Sequence, residues 1–251
     1  MKTRRIQEIE AYIHLQKNVT LDELCLTFEV SKNTIRRDIN ELLRKGTIGK
    51  VYGGVVSALE LIPFENRNVK HPGEKAEIGR MAASYIEDQD LIFIDSGTTT
   101  RMMIDAIDPN KTLTILTNSL DIINSAAEMP NVDLIVIGSS YKRDTRSFVG
   151  LDNPRALERY NVNKAFMSAT GVSLAHGLTN SDLLEYEIKK SVAARAEKLF
   201  LLADSSKFGR STLLTYAALQ DVDVLLTSHR LPEEYTRFCL AHDIALHQSP
   251  R

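Results

Sequence analysis

Apolar residues recur at helical spacing from the start of the chain: Ile6, Ile9 and Ile13 share one face over residues 5–15, and a polar stretch through Lys17 and Asn18 breaks the run. A second helix is predicted from Leu21, Leu24, Cys25 and Phe28, with Thr20 as N-cap and Glu23 three residues later, a pairing that satisfies free amides at a helix start. A third begins near Ser31, where Ile35, Ile39, Leu42 and Leu43 form one stripe. After Gly46, read as a helix stop, residues 47–56 read as two short strands joined by a tight turn. Three short helices followed by a hairpin predict a winged helix-turn-helix over residues 1–57.

Residues 58–73 carry two prolines, mixed charges and no period, as an interdomain linker would. Beyond them, helical stretches alternate with short apolar runs at 91–95, 113–117, 132–138, 164–168, 199–204 and 222–227, the pattern of an α/β domain with a mainly parallel sheet over 74–251. Such sheets bind ligands beyond the carboxyl ends of their strands, so the turns after each run carry the candidate chemistry. The first is Asp95-Ser96-Gly97-Thr98-Thr99-Thr100, a hydroxyl-rich turn opening a helix, whose amides and positive dipole end suit a phosphate. Thr117-Asn118-Ser119 follows the second run, Lys142 and Arg143 bring two cations after the third, and Asp204-Ser205-Ser206-Lys207 follows the fifth. In this reading Lys207 neutralises phosphate and Asp204 holds sugar hydroxyls. Each turn alone is ordinary N-cap chemistry; four on one sheet edge point to a ligand site.

With 251 residues, 43% of them hydrophobic and 25% charged, the composition is globular. Apolar runs fall far short of the ~20 residues of a membrane span, and Met1 leads into a charged helix, so a soluble cytoplasmic protein without membrane contact is expected. Cys25 and Cys239 lie in helical patterns without partners and read as small buried apolar residues; no metal or cofactor is expected. The net charge of −2 hides ten Lys/Arg against seven Asp/Glu in residues 1–57, a weak pointer to nucleic acid. The outward side of the third helix says more: Lys32, Asn33, Thr34, Arg36 and Arg37 crowd its first two turns, where a recognition helix meets the major groove, while Asp38 reads as a local partner of an arginine.

The string Ser31-x-x-Thr34-Ile35-Arg36-Arg37-Asp38-Ile39, followed by Tyr52-Gly53-Gly54, resembles the signature of the DeoR family of repressors. Lys50 takes the place of the family's basic residue before the paired glycines, and the resemblance implies that Ser31, Lys50 and Tyr52 join the DNA surface. Glu74-Lys75 before a helix, Asp-x-Gly-Thr-Thr, Thr-Asn-Ser and Asp-x-Ser-Lys-Phe-Gly extend the likeness to the sensor domains of that family, which are similar in fold to ribose-5-phosphate isomerase and sugar-phosphate deaminases and sense phosphorylated sugars. Gly138-Ser139-Ser140 departs from the paired glycines of many members. Residues 146–150, 164–171 and 176–180 look most like repressors of inositol catabolism, which implies a phosphorylated intermediate of that pathway as effector.

Two weaker features are set aside. His176 sits in a loop as an isolated histidine, and Leu184, Ile188, Val192 and Ala196 make a stripe that leaves Glu185, Glu187, Lys189, Lys190 and Arg195 to a solvated surface. The expectation is therefore a homodimeric or homotetrameric repressor that binds double-stranded operator DNA and is released by a sugar phosphate. The alternative is a sugar-phosphate isomerase or deaminase with a DNA-binding appendage, using Asp95 or Asp204 as base. A purely structural module fits a phosphate-binding turn poorly.

Overall fold

Helix α1 (Lys2–Gln16), strand β1 (Asn18–Thr20), helices α2 (Leu21–Phe28) and α3 (Lys32–Lys45), and strands β2 (Ile48–Val51) and β3 (Gly54–Ser57) make up the N-terminal module in the computed structural model. The structure describes residues 2–16, 18–45, 48–51, 54–57, 64–151 and 156–248. The helical stripes close on one core of Ile6, Ile9, Ile13, Leu24, Ile35, Ile39 and Leu42, joined by Val19, Ile48 and Val55. Thr20 caps α2 as expected, its hydroxyl accepting from Glu23 N at 3.2 Å. The wing differs from the expectation in having three strands, in the order β1-β3-β2. Asn18–Thr20 pairs antiparallel with β3, Val19 facing Val55. Three residues with one apolar side chain are too short to show a period of two, so this strand is set by its partner. Gly46, the expected helix stop, lies outside the described residues, as do Tyr52 and Gly53.

Between α2 and α3 the chain turns through Glu29, which holds a left-handed conformation with φ 51° and donates its N–H to Cys25 O. A residue with a Cβ there costs roughly 1–2 kcal/mol. Asp38, on the inner side of α3, is almost wholly buried and accepts from Arg5 Nε at 2.8 Å and Nη2 at 3.3 Å. Its partner is thus an arginine of α1, distant in sequence, and the pair ties the recognition helix to the first helix.

The second module starts earlier than expected. Helix α4 (Phe64–Asn68) lies inside the segment taken as linker, and α5 (Pro72–Ala83) begins before its end, so that Glu74 and Lys75 sit in the first turn of α5 rather than before it. Strand β4 (Leu91–Ile94) is followed by a 3₁₀ segment (Thr100–Ala106), then β5 (Leu113–Thr117), α6 (Leu120–Ala126) and β6 (Val132–Val136). A small hairpin, β7 (Ser140–Lys142) and β8 (Ser147–Val149), precedes β9 (Lys164–Met167), β10 (Gly171–Ser173), β11 (Gly177–Asn180) and α7 (Leu183–Ala193). The chain ends with β12 (Lys198–Leu202), β13 (Leu214–Ala217), β14 (Val224–Thr227), α8 (Glu233–Ala241) and β15 (Ala245–Gln248).

Seven strands form one parallel sheet in the order β15-β14-β12-β9-β4-β5-β6. Alternate residues feed opposite faces: Phe93, Ala165, Met167, Leu199 and Leu201 pack under α7 and α8, whereas Ile92, Ile94, Phe166, Phe200 and Leu202 pack under α5, α6 and the 3₁₀ segment. Burial on both faces explains why most of these strands read as continuous apolar runs. From β4 the chain builds outward to β6 on one side, then returns to β9 and builds to β15 on the other, so the order reverses between β4 and β9. A cleft opens beyond the carboxyl ends of strands at such a reversal. Cys239 lies in the core as expected, while Cys25 is only partly buried.

Arg5→Ala should leave the Asp38 carboxylate buried without its cation and loosen α3 by about 1–3 kcal/mol. Amide hydrogen exchange across 32–45 would then quicken by roughly ten- to a hundredfold, and unchanged exchange would show that the pair does not hold the helix.

Candidate functional site

On α3 the sequence-predicted surface is present. Lys32, Asn33, Arg36 and Arg37 are exposed, opposite the buried Ile35, Asp38 and Ile39. Ser31 sits just before the helix, with its carbonyl accepting from Thr34 N at 2.9 Å and Ile35 N at 3.0 Å, and its hydroxyl 3.0 Å from that of Thr34. These two hydroxyls build the helix start while remaining at the surface. Lys32 pairs with Asp22 of α2 at 2.5 Å, an exposed contact of little energetic weight. Lys50 belongs to β2.

The cleft of the second module centres on Asp95, at the end of β4, and Ser168, at the end of β9. Asp95 Oδ2 accepts from Ser168 N at 3.0 Å and Ser168 Oγ at 2.5 Å, and pairs with Lys189 of α7. Lys189 also donates to Ser168 O at 3.0 Å. Gly97 makes this approach possible, since a Cβ there would lie 2.1 Å from Ser168 Oγ. Beside it, Glu185 Oε1 accepts from Ser96 Oγ at 3.0 Å and Ser147 Oγ at 2.9 Å. Glu185 and Lys189 are both buried, which corrects their assignment to a solvated surface. The inner stripe of α7 is Glu185, Ile188, Lys189 and Val192, and Leu183 and Leu184 face outward. A spacing of i, i+3, i+4, i+7 containing two charges was the available signal.

A second group of charges lies along the same cleft. Lys75 is 2% exposed and donates to Arg67 O at 2.5 Å. Burial pulls its pKa from 10.5 down to about 8, against the upward pull of Asp204, with Lys207 and Arg67 adding repulsion. Lys207 is lowered in the same way, by burial first, against Asp204, with Arg67 and Arg210 repelling. Burial likewise lowers Arg67, which also feels Glu185 and Asp95, and its Nε is buried without a hydrogen-bond partner. Arg67 therefore lies between the Asp95–Glu185 end and the Lys75–Lys207 end. Asp204 accepts from Ser206 N at 3.0 Å and from the Ser206 hydroxyl, while Glu74 is held by Ser228 Oγ at 2.6 Å and His71 Nδ1 at 2.9 Å. Lys75 and Lys207 thus share the pull of Asp204, while Arg67 feels Glu185 and Asp95, and three mutually repelling cations make an environment suited to a dianion.

Several expected ligands have structural duties instead. Thr100 Oγ1 donates to the backbone at Asp95 O or Gly97 O, and accepts from Gly97 N at 3.1 Å, so the Gly97 amide is not free. Thr98 and Thr99 are buried in the same turn, which opens a 3₁₀ segment rather than an α-helix. Thr117 Oγ1 donates to Ile94 O at 2.6 Å, Ser119 caps α6, and Asn118 Nδ2 holds Phe148 O at 3.0 Å. Lys142 is paired with Asp182, the N-cap of α7, and Arg143 is exposed in the turn of the hairpin. In the stretch that departs from paired glycines, Gly138 alone has the left-handed backbone, φ 100°, and Ser139 does not require glycine.

A winged helix-turn-helix joined to a parallel α/β domain with an anion-suited cleft defines a ligand-responsive DNA-binding regulator. Residues 5–60 match the DeoR-like helix-turn-helix domain and residues 70–229 the DeoR C terminal sensor domain. The HTH-type transcriptional regulator IolR of Bacillus subtilis (strain 168) is 59% identical over 249 residues, covering 98% of this chain and 99% of its own. The HTH-type transcriptional repressor GlcR of the same organism is 28% identical, over 94% of this chain and 90% of its own. The chain belongs to the DeoR family of helix-turn-helix transcription regulators. It is a regulator and not an enzyme. Ribose 5-phosphate isomerase A of Methanocaldococcus jannaschii aligns over 53% of each chain with 19% identity and a TM-score of 0.39. Among the described residues no helix is long and apolar enough to cross a membrane.

Above pH about 8 the folded chain gives up the Lys75 proton, whereas the unfolded chain keeps it to 10.5. The unfolded state then binds more protons, so this lysine makes stability rise with pH across that window. Denaturant titrations on wild type and Lys75→Met should show wild type gaining on the variant between those limits. A pH-independent difference would mean that the ammonium is not strained by burial.

Proposed function

We propose that the chain represses a carbohydrate catabolic operon, that of inositol, and leaves its operator when a phosphorylated sugar intermediate fills the cleft. The observation that carries this reading is the cation group of buried Lys75 with half-buried Arg67 and Lys207, in which Asp204 acts on both lysines and Arg67 Nε is buried without a hydrogen-bond partner. A phosphate dianion would meet these cations, and the effector's hydroxyls would reach Asp95, Ser96 and Glu185 at the other end. In this reading the turns at 95–100, 117–119 and 204–207, with Lys142 and Arg143 at the hairpin, would border that volume, several of their side chains through the internal bonds that shape it. The inositol assignment rests on the likeness in residues 146–150, 164–171 and 176–180 and is supported by the identity to IolR.

Arg36, Arg37, Lys32 and Asn33 would enter the major groove, with Ser31, Thr34, Lys50 and Tyr52 on the backbone or wing side. A homodimer or homotetramer in the cytoplasm would then read half-sites ~34 Å apart or a multiple of it. Effector binding need favour one arrangement of the two modules by only about 1–3 kcal/mol to weaken operator affinity roughly 5- to 150-fold.

Fluorescence anisotropy on DNA upstream of the gene's own neighbourhood, at fixed salt, tests this with a panel of sugar and inositol phosphates. Release by one phosphorylated compound is expected, and sequence-specific binding indifferent to all of them would overturn the effector reading. Arg36→Ala should weaken operator binding and leave effector binding intact; operator affinity equal to wild type would remove Arg36 from the interface. Lys207→Ala should bind operator normally and need at least about tenfold more effector for release; normal release would place the phosphate elsewhere.

A further inference from the structure

The β7–β8 hairpin links the Glu185 end of the cleft to the start of α4. Its strands are three residues each, joined by a tight turn in which Arg146 has φ 51° and donates its N–H to Arg143 O at 3.2 Å. A two-stranded ribbon this short is not stable alone, so its position is dictated by what it contacts. On one side it is tied to the sheet edge, where Phe148 N donates to Asn118 O at 2.7 Å, Leu120 N to Arg146 O at 2.9 Å, and Arg146 forks onto Asp121. On the other side it reaches α7 twice, through Lys142 to Asp182 and through Ser147 Oγ, whose one proton goes to Glu185 Oε1 at 2.9 Å or to Thr145 Oγ1 at 2.7 Å. Glu185 Oε1 is shared with Ser96, so the Ser147 hydroxyl belongs to the polar end of the cleft.

The tip makes a different contact. Asp144 O accepts from Phe64 N at 2.8 Å, satisfying a free amide at the start of α4, and the Phe64 side chain is buried. Helix α4 is the first described element after the wing, separated from Ser57 by residues 58–63 alone. It also carries Arg67, whose carbonyl receives Lys75. The hairpin therefore spans from a carboxylate in the cleft to the segment that leads back to the DNA-binding module.

We propose that the β7–β8 hairpin transmits effector occupancy to α4, with Ser147 as its contact to the effector's hydroxyl end and the Asp144–Phe64 hydrogen bond as its output. This rests on the reading that a phosphorylated polyol fills the cleft. An effector hydroxyl that donates to Glu185 competes with Ser147 for the same oxygen. Freed from that bond, β8 shifts against α7, and the tip alters its hold on α4. A ligand moves an equilibrium only through contacts that differ between its states, and the Ser147–Glu185 bond is such a contact.

Two measurements on the full chain test the route. The first needs no ligand: amide hydrogen exchange of Ser147→Ala should rise about tenfold or more at residues 64–69 while strand 91–94 stays at the wild-type rate. Wild-type exchange at 64–69 would overturn the hairpin as the hold on α4. The second compares Phe64→Pro, which removes the amide donor at a first helical position that tolerates proline, with Phe64→Ala, which keeps the amide and loses only the ring over Arg67, using glucose-6-phosphate, ribose-5-phosphate and inositol monophosphate in calorimetry and in operator-release titrations. The proline variant should bind the active compound within about threefold of the alanine variant yet require at least about tenfold more of it for release. Normal release, or affinity and release falling together, would overturn the output contact. If no compound binds the wild type, the effector reading fails, and the exchange measurement still decides whether the hairpin holds α4.

Discussion

The Asp95–Lys189 ion pair lies where the order of the sheet reverses, and the cleft is built outward from it. Both side chains are at most 4% exposed. Removing two charges from water costs several kcal/mol per ion, and the pair is tolerable only because Ser168 supplies an amide and a hydroxyl to the carboxylate and a carbonyl to the ammonium. Breaking such a pair by deleting one partner leaves an uncompensated charge and costs about 3–5 kcal/mol. This arrangement fixes the ends of β4 and β9 and the rotation of α7 together. The aim of Glu185 and the position of Ser96 follow from it.

The opposite end of the cleft is organised by an unsatisfied requirement rather than a satisfied one. Lys75 and Lys207 are pulled toward neutrality by burial, and Arg67 keeps a buried Nε without a partner. The fold is stable enough elsewhere, through two apolar faces of a seven-stranded sheet, to carry that cost. An anion entering here would relieve repulsion among the cations, while hydroxyls at the Asp95–Glu185 end would exchange one set of hydrogen bonds for another. Phosphate would thus supply most of the affinity and the polyol most of the discrimination. Because Arg67 belongs to α4, and the Phe64 amide of α4 bonds to the hairpin at Asp144 O, both ends of such a ligand would act on one short helix.

How the two modules differ in legibility follows from the range of the forces that shape them. The three helices of the N-terminal module, the Thr20 cap and the exposed cations of α3 are local properties of spacing and side-chain type, and they appear in the structure as read. The buried strands β4, β5, β9 and β12 were equally visible, because burial on two faces demands unbroken apolar runs. Strand β15, with exposure alternating along Ala245–Gln248, and the three-residue strands β1, β7, β8 and β10 carry no such run, and their pairing partners create them.

The sequence by itself determined the winged helix-turn-helix, the parallel α/β class and the edge of the sheet at which the chemistry gathers, since each is encoded by periodicity and by turns next in sequence. Tertiary structure decided which charges meet. Asp38 found Arg5 across 33 positions and Asp95 found Lys189 across 94. Arg67 entered the cleft from a segment that reads as linker, and Glu185 and Lys189 turned inward on a helix whose leucines suggested the opposite face. Charge pairing in a buried site depends on three-dimensional distance, to which spacing along the chain is blind, so the turns were legible and the partners were not.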